Sequence, residues 1–288
     1  MSRASVFVAV NVARSQEKFV YSYSLINDPK SERAVGDWTI GQLPEHFISA
    51  TPSGWTYTGT KIGDGPGWIT GGPTSNPLEP GQRVLGFQVT SNFPPRVKPT
   101  FAWSELTDQE MDMLDADIIE SPECENDTAF QLSADPLNNS IPGKTLGPGE
   151  VIIAINFLCD TFILDLIGQV REAAALGWIK HDLRKDDDKG GKNKDNDKGM
   201  KKGDDDGDDH ADDDVEINEK DKKLPGMAKS IIKKLTKARR ECLRGKFGNA
   251  REKLRALIKQ VNAQRGKHLT EEAYALIRFN AEFLLEKL

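Results

Sequence analysis

The sequence has few cysteines and no long apolar run. Its three cysteines, Cys124, Cys159 and Cys242, are too few in 288 residues for a small scaffold built on disulfide bonds. No segment reaches the roughly 18–20 consecutive apolar residues that a transmembrane helix needs, so no membrane span is predicted. Residues 5–12 alternate between apolar and polar and lead into no small-residue cleavage site. This start therefore predicts a strand and not a signal peptide.

Catalytic signatures are also scarce. The sequence contains no HExxH, Gly-x-Ser-x-Gly or CxxC motif, and its four histidines stand apart from one another and from cysteine. The run Pro142-Gly143-Lys144-Thr145 is similar to the end of a phosphate-binding loop. The first glycine of that loop is missing, since position 138 is Asn, and no strand-to-helix pattern surrounds the run. We therefore predict an ordinary turn there, and a non-catalytic protein without a cofactor.

Charge is abundant and unevenly distributed. The net charge of −6 combines an acidic body, an acidic spacer and a basic end. Residues 1–181 carry 12 Lys and Arg against 22 Asp and Glu, residues 182–221 carry 9 against 17, and residues 222–288 carry 18 against 6. Because such asymmetry bears on partners and solubility and not on the fold, the basic end is of interest for an anionic partner.

Residues 1–105 consist of short alternating runs separated by turn residues. The runs are 5–12, 18–26, 37–41, 55–60, 67–70 and 83–91. This pattern predicts an antiparallel β-sandwich. We place Trp38, Trp55, Trp68 and Phe87 in the core between its sheets, with an exposed carbohydrate-binding face as the alternative. Residues 106–157 are predicted to be an acidic connecting segment that ends in a return strand at 151–157.

Helical periodicity replaces strand periodicity after residue 158. Apolar residues recur every three or four positions in 161–179, the first helix of a module that covers 158–181, and in three further segments within 224–288. Short loops between these segments predict a small antiparallel bundle. The predicted fold class is therefore α+β with segregated parts, an N-terminal antiparallel β-sandwich and a C-terminal helical bundle interrupted by an Asp-rich insert.

The ends of the last three helices are marked by their sequence. Gly245 and Gly266 are placed to end the first two of them. Asn249, with Glu252 three residues later, is typical of a capping-box start, and Thr270 is typical of an N-cap.

The insert, residues 182–223, has almost no apolar side chains. It cannot bury enough surface to offset the entropy of ordering, so we predict disorder. Weak calcium binding is conceivable, but the spacing of a calcium-binding EF-hand loop fails, because a register that starts at Asp204 places Val215 at the glutamate position. The weak metal candidates are Asp204, Asp205, Asp206, Asp208, Asp209, Asp212, Asp213 and Asp214.

Specific sequence segments in the last three helices resemble a known module. They include Leu243-Arg244-Gly245, Leu254-Arg255-Ala256-Leu257-Ile258, Val261-Asn262-Ala263-Gln264 and the closing EAYALIRFNAEFLLEKL. Together they resemble the FIMAH domain, which occurs at the C-terminus of many bacterial exported and multidomain proteins. LGWI at 176–179 resembles the helix that usually precedes it. The resemblance implies a bacterial, exported or surface-associated protein, with the cytoplasm left open, and it brings no catalytic residues.

The β-rich start is similar to sandwich regions of uncharacterised bacterial surface proteins. The residues that carry this similarity are Tyr21-Ser22-Tyr23-Ser24-Leu25 and Pro80-Gly81 with Gly86-Phe87. In an exported protein Cys124 and Cys159 could form a disulfide bond, with two buried thiols as the alternative. Cys242 lies on the apolar face of its predicted helix and is interpreted as a small core residue.

Two functions lead, and a hydrolase site formed by carboxylates of the sandwich, which no motif marks, is a third alternative. The first is a non-catalytic binding or structural role, exercised by a monomer on an unknown protein or surface polymer. The second is binding of a polyanion or nucleic acid by the basic helical module. Nucleic acid is disfavoured because no aromatic residues are interleaved for base stacking. The residues for the second function are Lys229, Lys233, Lys234, Lys237, Arg239, Arg240 and Arg244.

Overall fold

The computed structural model describes residues 5–41, 43–44, 46–60, 66–70, 76–104, 140–149, 158–181, 221 and 223–288. Its strands are β1 (Val6–Ser15), β2 (Lys18–Asn27), β3 (Val35–Ile40), β4 (Phe47–Ala50), β5 (Thr56–Thr60), β6 (Pro66–Ile69), β7 (Arg83–Ser91), β8 (Pro95–Ser104) and β9 (Ile141–Pro148). Its helices are α1 (Cys159–Ala175), α2 (Gly226–Leu243), α3 (Phe247–Gln264) and α4 (Glu271–Lys287). Strands and helices are thus segregated along the chain, as predicted.

The strands form two antiparallel sheets. Their orders are β1-β2-β7-β4 and β5-β6-β3-β8-β9. Successive side chains of a strand point to opposite faces, and in β2 this alternation buries Phe19, Tyr21, Tyr23 and Leu25. The predicted antiparallel sandwich is therefore confirmed.

Aromatic side chains fill the space between the sheets. Trp38 of β3 stacks on Trp68 of β6 with ring centroids 4.8 Å apart. Phe87 of the facing sheet lies 5.1 Å from Trp38 and 5.3 Å from Trp68, and Trp55 lies 5.2 Å from Phe87. All four residues are buried, so their predicted place in the core is confirmed.

The sequence did not predict β4, β8 and β9. Strand β8 contains Pro95 and Pro99, which weaken a strand pattern, yet the carbonyl oxygen of Pro99 accepts a hydrogen bond of 2.8 Å from the amide of Gly41. Strand β9 includes residues 142–145, so the turn predicted there is wrong. Because β9 lies at the edge of its sheet, the missing amide hydrogen of Pro142 is tolerated.

Strand β9 also changes the predicted extent of the sandwich. It pairs with β8 from Ile141, opposite Ala102, to Pro148, opposite Pro95. The sandwich therefore takes a strand from the stretch 106–157, which was predicted to be a connecting segment with a return strand at its end. The return strand predicted at 151–157 lies outside the described residues.

The four helices pack as one bundle, which we name the helical module. Each helix contacts the next along the chain, and α1 also contacts α4. The side chains that meet in its centre are fully buried; they include Leu166, Val170, Ile231, Leu235, Leu254, Leu257, Leu276 and Leu284. The predicted membership of α1 in this bundle is confirmed. Within the described part of the chain, no helix is long and apolar enough to cross a membrane.

Three of the four predicted helix-end signals hold. Gly266 has a φ of 71° and follows Arg265, the C-cap of α3. Gly245 has a φ of 69°, and the amides of Gly245 and Lys246 donate to the carbonyl oxygens of Cys242 (3.0 Å) and Glu241 (2.8 Å), which closes the end of α2. Thr270 accepts a hydrogen bond from the amide of Ala273 at the start of α4.

The predicted start of α3 is wrong. This helix begins at Phe247, two residues before the expected cap, and its N-terminus has no side-chain cap. The Asn249 side chain instead donates to a carboxylate oxygen of Glu241 on α2, at 3.1 Å.

The helical module docks on the sandwich through α1 and α4. The Phe19 and Phe279 rings meet edge to face, 6.0 Å apart. The residues of β8 that precede Thr100 are not paired with β3. There the Gln169 side chain of α1 accepts from the amide of Val97, and the Asn280 side chain of α4 donates to the carbonyl oxygen of Pro95, both at 2.7 Å. Two helices thus satisfy backbone groups that the sheet leaves open.

A disulfide bond joins α1 to α2. It links Cys159 and Cys242, 83 residues apart in sequence, with Cα atoms 6.0 Å apart. This bond excludes both alternatives for Cys159, a bond to Cys124 and a buried thiol. Cys242 is buried in the core, as interpreted, but it is bonded and not a thiol. Antiparallel packing places the start of α1 beside the end of α2, a proximity that the sequence separation conceals. Cys124 lies outside the described residues.

Candidate functional site

Charge is segregated between the two sides of the helical module. The segment 226–264, which contains α2 and α3, carries 12 Lys and Arg against two acids, Glu241 and Glu252. In contrast, α1 and α4 together carry seven acids against three bases. Since α1 and α4 are the helices that contact the sandwich, the acidic helices face the sandwich and the basic hairpin faces away from it.

Three of the seven acids of α1 and α4 form ion pairs with the sandwich. Glu286 forms an ion pair with Arg14 of β1 at 2.6 Å, and Glu172 forms one with Lys144 of β9 at 3.1 Å. Asp165 pairs with Arg96 of β8. Burial lowers the pKa of Arg96 to about 10, so this guanidinium remains charged at neutral pH. Lys144, the lysine of the phosphate-loop-like run, therefore has a structural partner.

A row of cations follows the outer side of α2. The apolar side of this helix, which includes Ile231, Leu235 and Cys242, is buried in the bundle. On the opposite side, side chains recur every three or four residues, a step of about 6 Å along the axis and about 22 Å in total. We name this row the basic ridge; its members are Lys229, Lys233, Lys237, Arg240 and Arg244.

Two of the seven predicted contact residues lie off the ridge. The Lys234 ammonium donates to the side-chain oxygen of Gln260 on α3, at 2.6 Å, in the seam between the two helices. Arg239 is half-buried, and its Nε atom is buried with no hydrogen-bond partner among the described residues. The structure therefore brings five of the seven predicted residues onto one surface.

Helix α3 adds cations that the prediction missed. Arg251, Lys253, Arg255 and Lys259 are exposed on α3, and Lys246 is exposed in the turn before it. The surplus of Lys and Arg over the whole of 222–288 was the available signal. The periodicity of α2 alone does not show that the hairpin places α3 alongside it.

Within the described ranges, two acids near the ridge in sequence, Glu241 and Asp221, already have partners. Glu241 accepts from Asn249, and one of its oxygens lies 3.8 Å from Arg244. Asp221, just before α2, forms two hydrogen bonds with Arg171 of α1, at 2.8 and 2.9 Å. Those hydrogen bonds are the main reason that the pKa of the Asp221 carboxyl is lowered; the nearby Lys229 lowers it further.

Lys233 and Lys237 are the most available members of the ridge. Both are exposed, and within the described ranges neither forms an ion pair. Like charges four residues apart on a helix destabilise it by about 0.2–0.5 kcal/mol per pair. The stability of α2 therefore does not explain why these cations lie in one row.

The basic hairpin belongs to a segment that matches a known domain family. Residues 214–286 match the FIMAH domain. The match covers α2, α3 and all but the last residue of α4, and it confirms the resemblance seen in the sequence. It does not cover α1, although α1 packs in the same bundle, so in this chain the FIMAH domain completes its core with a helix from outside the match. A search of the curated proteins finds no match to the chain.

The remaining predicted site residues lie elsewhere. The eight aspartates between 204 and 214 that were candidates for weak metal binding lie outside the described residues. Among the residues that are described, no three His, Cys, Asp or Glu side chains are grouped so that they could hold a metal ion.

Proposed function

We propose that this protein is a non-catalytic binding protein that acts outside the bacterial cytoplasm and presents the basic ridge of its FIMAH domain to an anionic partner. The observation that carries the proposal is the segregation of charge. The acidic helices are used for docking on the sandwich, whereas the exposed cations of α2 and α3 face away from it. The sandwich then serves as the rigid support that orients this basic surface.

The disulfide bond supports the location. Disulfide bonds persist in oxidising compartments and are rare in the reducing cytoplasm. Cys159–Cys242 closes the helical module, so the module is best suited to an oxidising environment. The non-catalytic role rests on the lack of catalytic motifs in the sequence.

Retention on a heparin column tests the proposal. The full oxidised chain is compared with Lys233→Gln/Lys237→Gln, which removes two ridge cations, and with Lys18→Gln/Lys30→Gln, which removes two exposed lysines of the sandwich. We expect the ridge variant to elute at lower salt, with the salt slope of log affinity reduced by about two. The sandwich variant should elute like the parent protein.

The control decides the outcome. If both variants elute at the same lower salt, net charge alone explains retention and the ridge has no special role. If neither variant differs from the parent chain, the ridge does not contact the polyanion, and the proposal fails.

A further inference from the structure

Three exposed apolar side chains lie at the end of the bundle where the basic ridge ends. Leu158 is 59% exposed, Leu243 is 62% exposed and Phe247 is 47% exposed. Leu158 precedes Cys159, and Leu243 follows Cys242, so the disulfide bond holds these two leucines at the same end of the bundle. Phe247 is the first residue of α3 and lies at that end too. We name these three residues the hairpin tip.

The tip is presented by ordered backbone. The turn between α2 and α3 is closed by the hydrogen bond of 2.8 Å from Lys246 to Glu241, and Lys246 in turn accepts from the amide of Ala250 at 3.1 Å. These hydrogen bonds and the disulfide bond fix the backbone that carries the three apolar side chains.

Basic and apolar residues occur together in the turn. The order Leu243-Arg244-Gly245-Lys246-Phe247 places two exposed basic residues between two exposed apolar ones. Of the acids near this end that the structure describes, Glu241 is mostly covered and accepts from Asn249, and Asp160 is half-buried in the first turn of α1. Glu252 is exposed on α3, where Arg251 and Lys253 flank it in sequence. The tip therefore combines apolar surface with positive charge.

A purely electrostatic partner does not account for the apolar part. Exposed Leu and Phe side chains remain in water when a hydrophilic polymer binds along the ridge, and they gain nothing there. A surface that takes up apolar side chains and also attracts cations is the interface of an anionic lipid bilayer. Both chemical features of the tip are satisfied by that one partner.

We propose that the anionic partner of the basic ridge is a lipid surface, with the hairpin tip inserted into the bilayer interface and the ridge cations held against acidic headgroups. This inference rests on the proposed function, because it names the partner of the same site. It requires no transmembrane segment, since interfacial binding reaches only the boundary between headgroups and acyl chains.

Sedimentation with lipid vesicles tests the inference. Vesicles of phosphatidylglycerol and phosphatidylcholine are compared with vesicles of phosphatidylcholine alone, using the full oxidised chain. Leu243→Ser/Phe247→Ser removes the tip, and Phe47→Ser/Leu85→Ser removes a leucine and a phenylalanine of the sandwich that are each 59% exposed. Thermal unfolding of all variants checks that they fold.

The expected result separates the two parts of the site. The tip variant should bind anionic vesicles about ten-fold or more weakly and should keep its retention on heparin. The sandwich variant should bind like the parent chain. Lys233→Gln/Lys237→Gln should lose about 25-fold on anionic vesicles at low salt, because each cation near such a surface contributes about five-fold, and it should also lose heparin retention.

Other outcomes overturn specific claims. If the ridge governs heparin retention but the parent chain does not bind anionic vesicles, the lipid inference is wrong and the proposed function stands. If the tip variant loses heparin retention as strongly as vesicle binding, the tip belongs to a polymer site and a lipid partner is excluded. If the ridge variant behaves like the parent chain in both assays, the proposed function itself fails.

Discussion

At the scale of single residues, Asn280 shows how the FIMAH domain is held to the sandwich. It is fully buried in α4, and its amide nitrogen lies 2.7 Å from two carbonyl oxygens, those of Pro95 on β8 and of Leu276 on its own helix. Burying an amide has a desolvation cost that only well-placed partners offset. Pro95 lies outside the part of β8 that pairs with β3, and its carbonyl oxygen accepts from Asn280 of α4. This contact fixes α4 at one position on the sandwich.

Replacing Asn280 tests this contact. Asn280→Ala leaves the carbonyl oxygen of Pro95 buried without its donor, and we expect the free energy of unfolding to fall by about 1–3 kcal/mol. Asn262→Ala, which removes an exposed amide from α3, should change it by less than about 0.5 kcal/mol. Urea denaturation measures both. Equal effects for the two variants would show that Asn280 has no special role in docking.

Some of these residue contacts were beyond sequence reasoning. The apolar repeat of α4 predicted one buried face, but Tyr274, Phe279 and Phe283 are buried as well. A helix buried on most sides is one that packs between two bodies, here the bundle and the sandwich. The repeat alone does not indicate the second body, so neither Asn280 nor the docking ion pairs could be predicted. The basic ridge could be predicted, because it depends only on the spacing of cations opposite an apolar face.

At the scale of elements, prediction succeeded where local signals decide the structure. The 3.6-residue repeat identified all four helices of the described chain, and Gly245 marked the end of α2. It failed for β4, and also for β8 and β9, whose prolines, together with the glycines of β9, carry little strand signal. These strands exist because ten residues of β8 find partners on β3 and β9, which is information that a local pattern does not contain.

A pair of glycines tests the turn that carries the hairpin tip. A β-carbon added at Gly245 or at Gly248 meets nothing within 4 Å, so the two sites do not differ in space. Gly245 has a φ of 69°, whereas Gly248 lies within α3 and has no positive φ. Gly245→Ala should therefore cost about 1–2 kcal/mol, and Gly248→Ala should be neutral or stabilise by up to about 1 kcal/mol.

Thermal unfolding followed by circular dichroism compares these two variants. A melting temperature that falls equally for both would mean that the conformation at Gly245 is not the reason for the glycine. Gly245→Asn offers a further check, since Asn tolerates this backbone region better than Ala and should recover part of the loss.

At the scale of the whole molecule, the disulfide bond joins two residues of the helical module that are 83 positions apart in sequence. The Arg171–Asp221 pair adds a second connection between α1 and the segment that leads into α2. Together they bring the two ends of the Asp-rich insert to one bundle. The FIMAH domain is consequently not a separate tail after the sandwich. It shares one bundle with α1, which comes before the insert in the sequence.

Removing the disulfide bond tests its contribution and its pairing. Cys159→Ser/Cys242→Ser should lower the free energy of unfolding by about 4 kcal/mol, since the bond closes a loop of 83 residues. Cys124→Ser should have little effect. Peptide mapping without reduction should recover a Cys159–Cys242 peptide from protein isolated from its host. Recovery of a Cys124–Cys159 peptide, or of fully reduced protein, would contradict the pairing and the proposed location.

The position of the disulfide bond has a mechanical consequence for a protein held at a surface. Once the contacts of α4 with β1 and β8 have separated, tension applied to the two ends of the chain passes from Cys159 directly to Cys242 through the sulfur atoms, and the residues between them bear no load. Roughly 280 Å of extended chain is thereby withheld from stretching. The link from the start of α1 to the end of α2, which leads into the last two helices, is covalent and short.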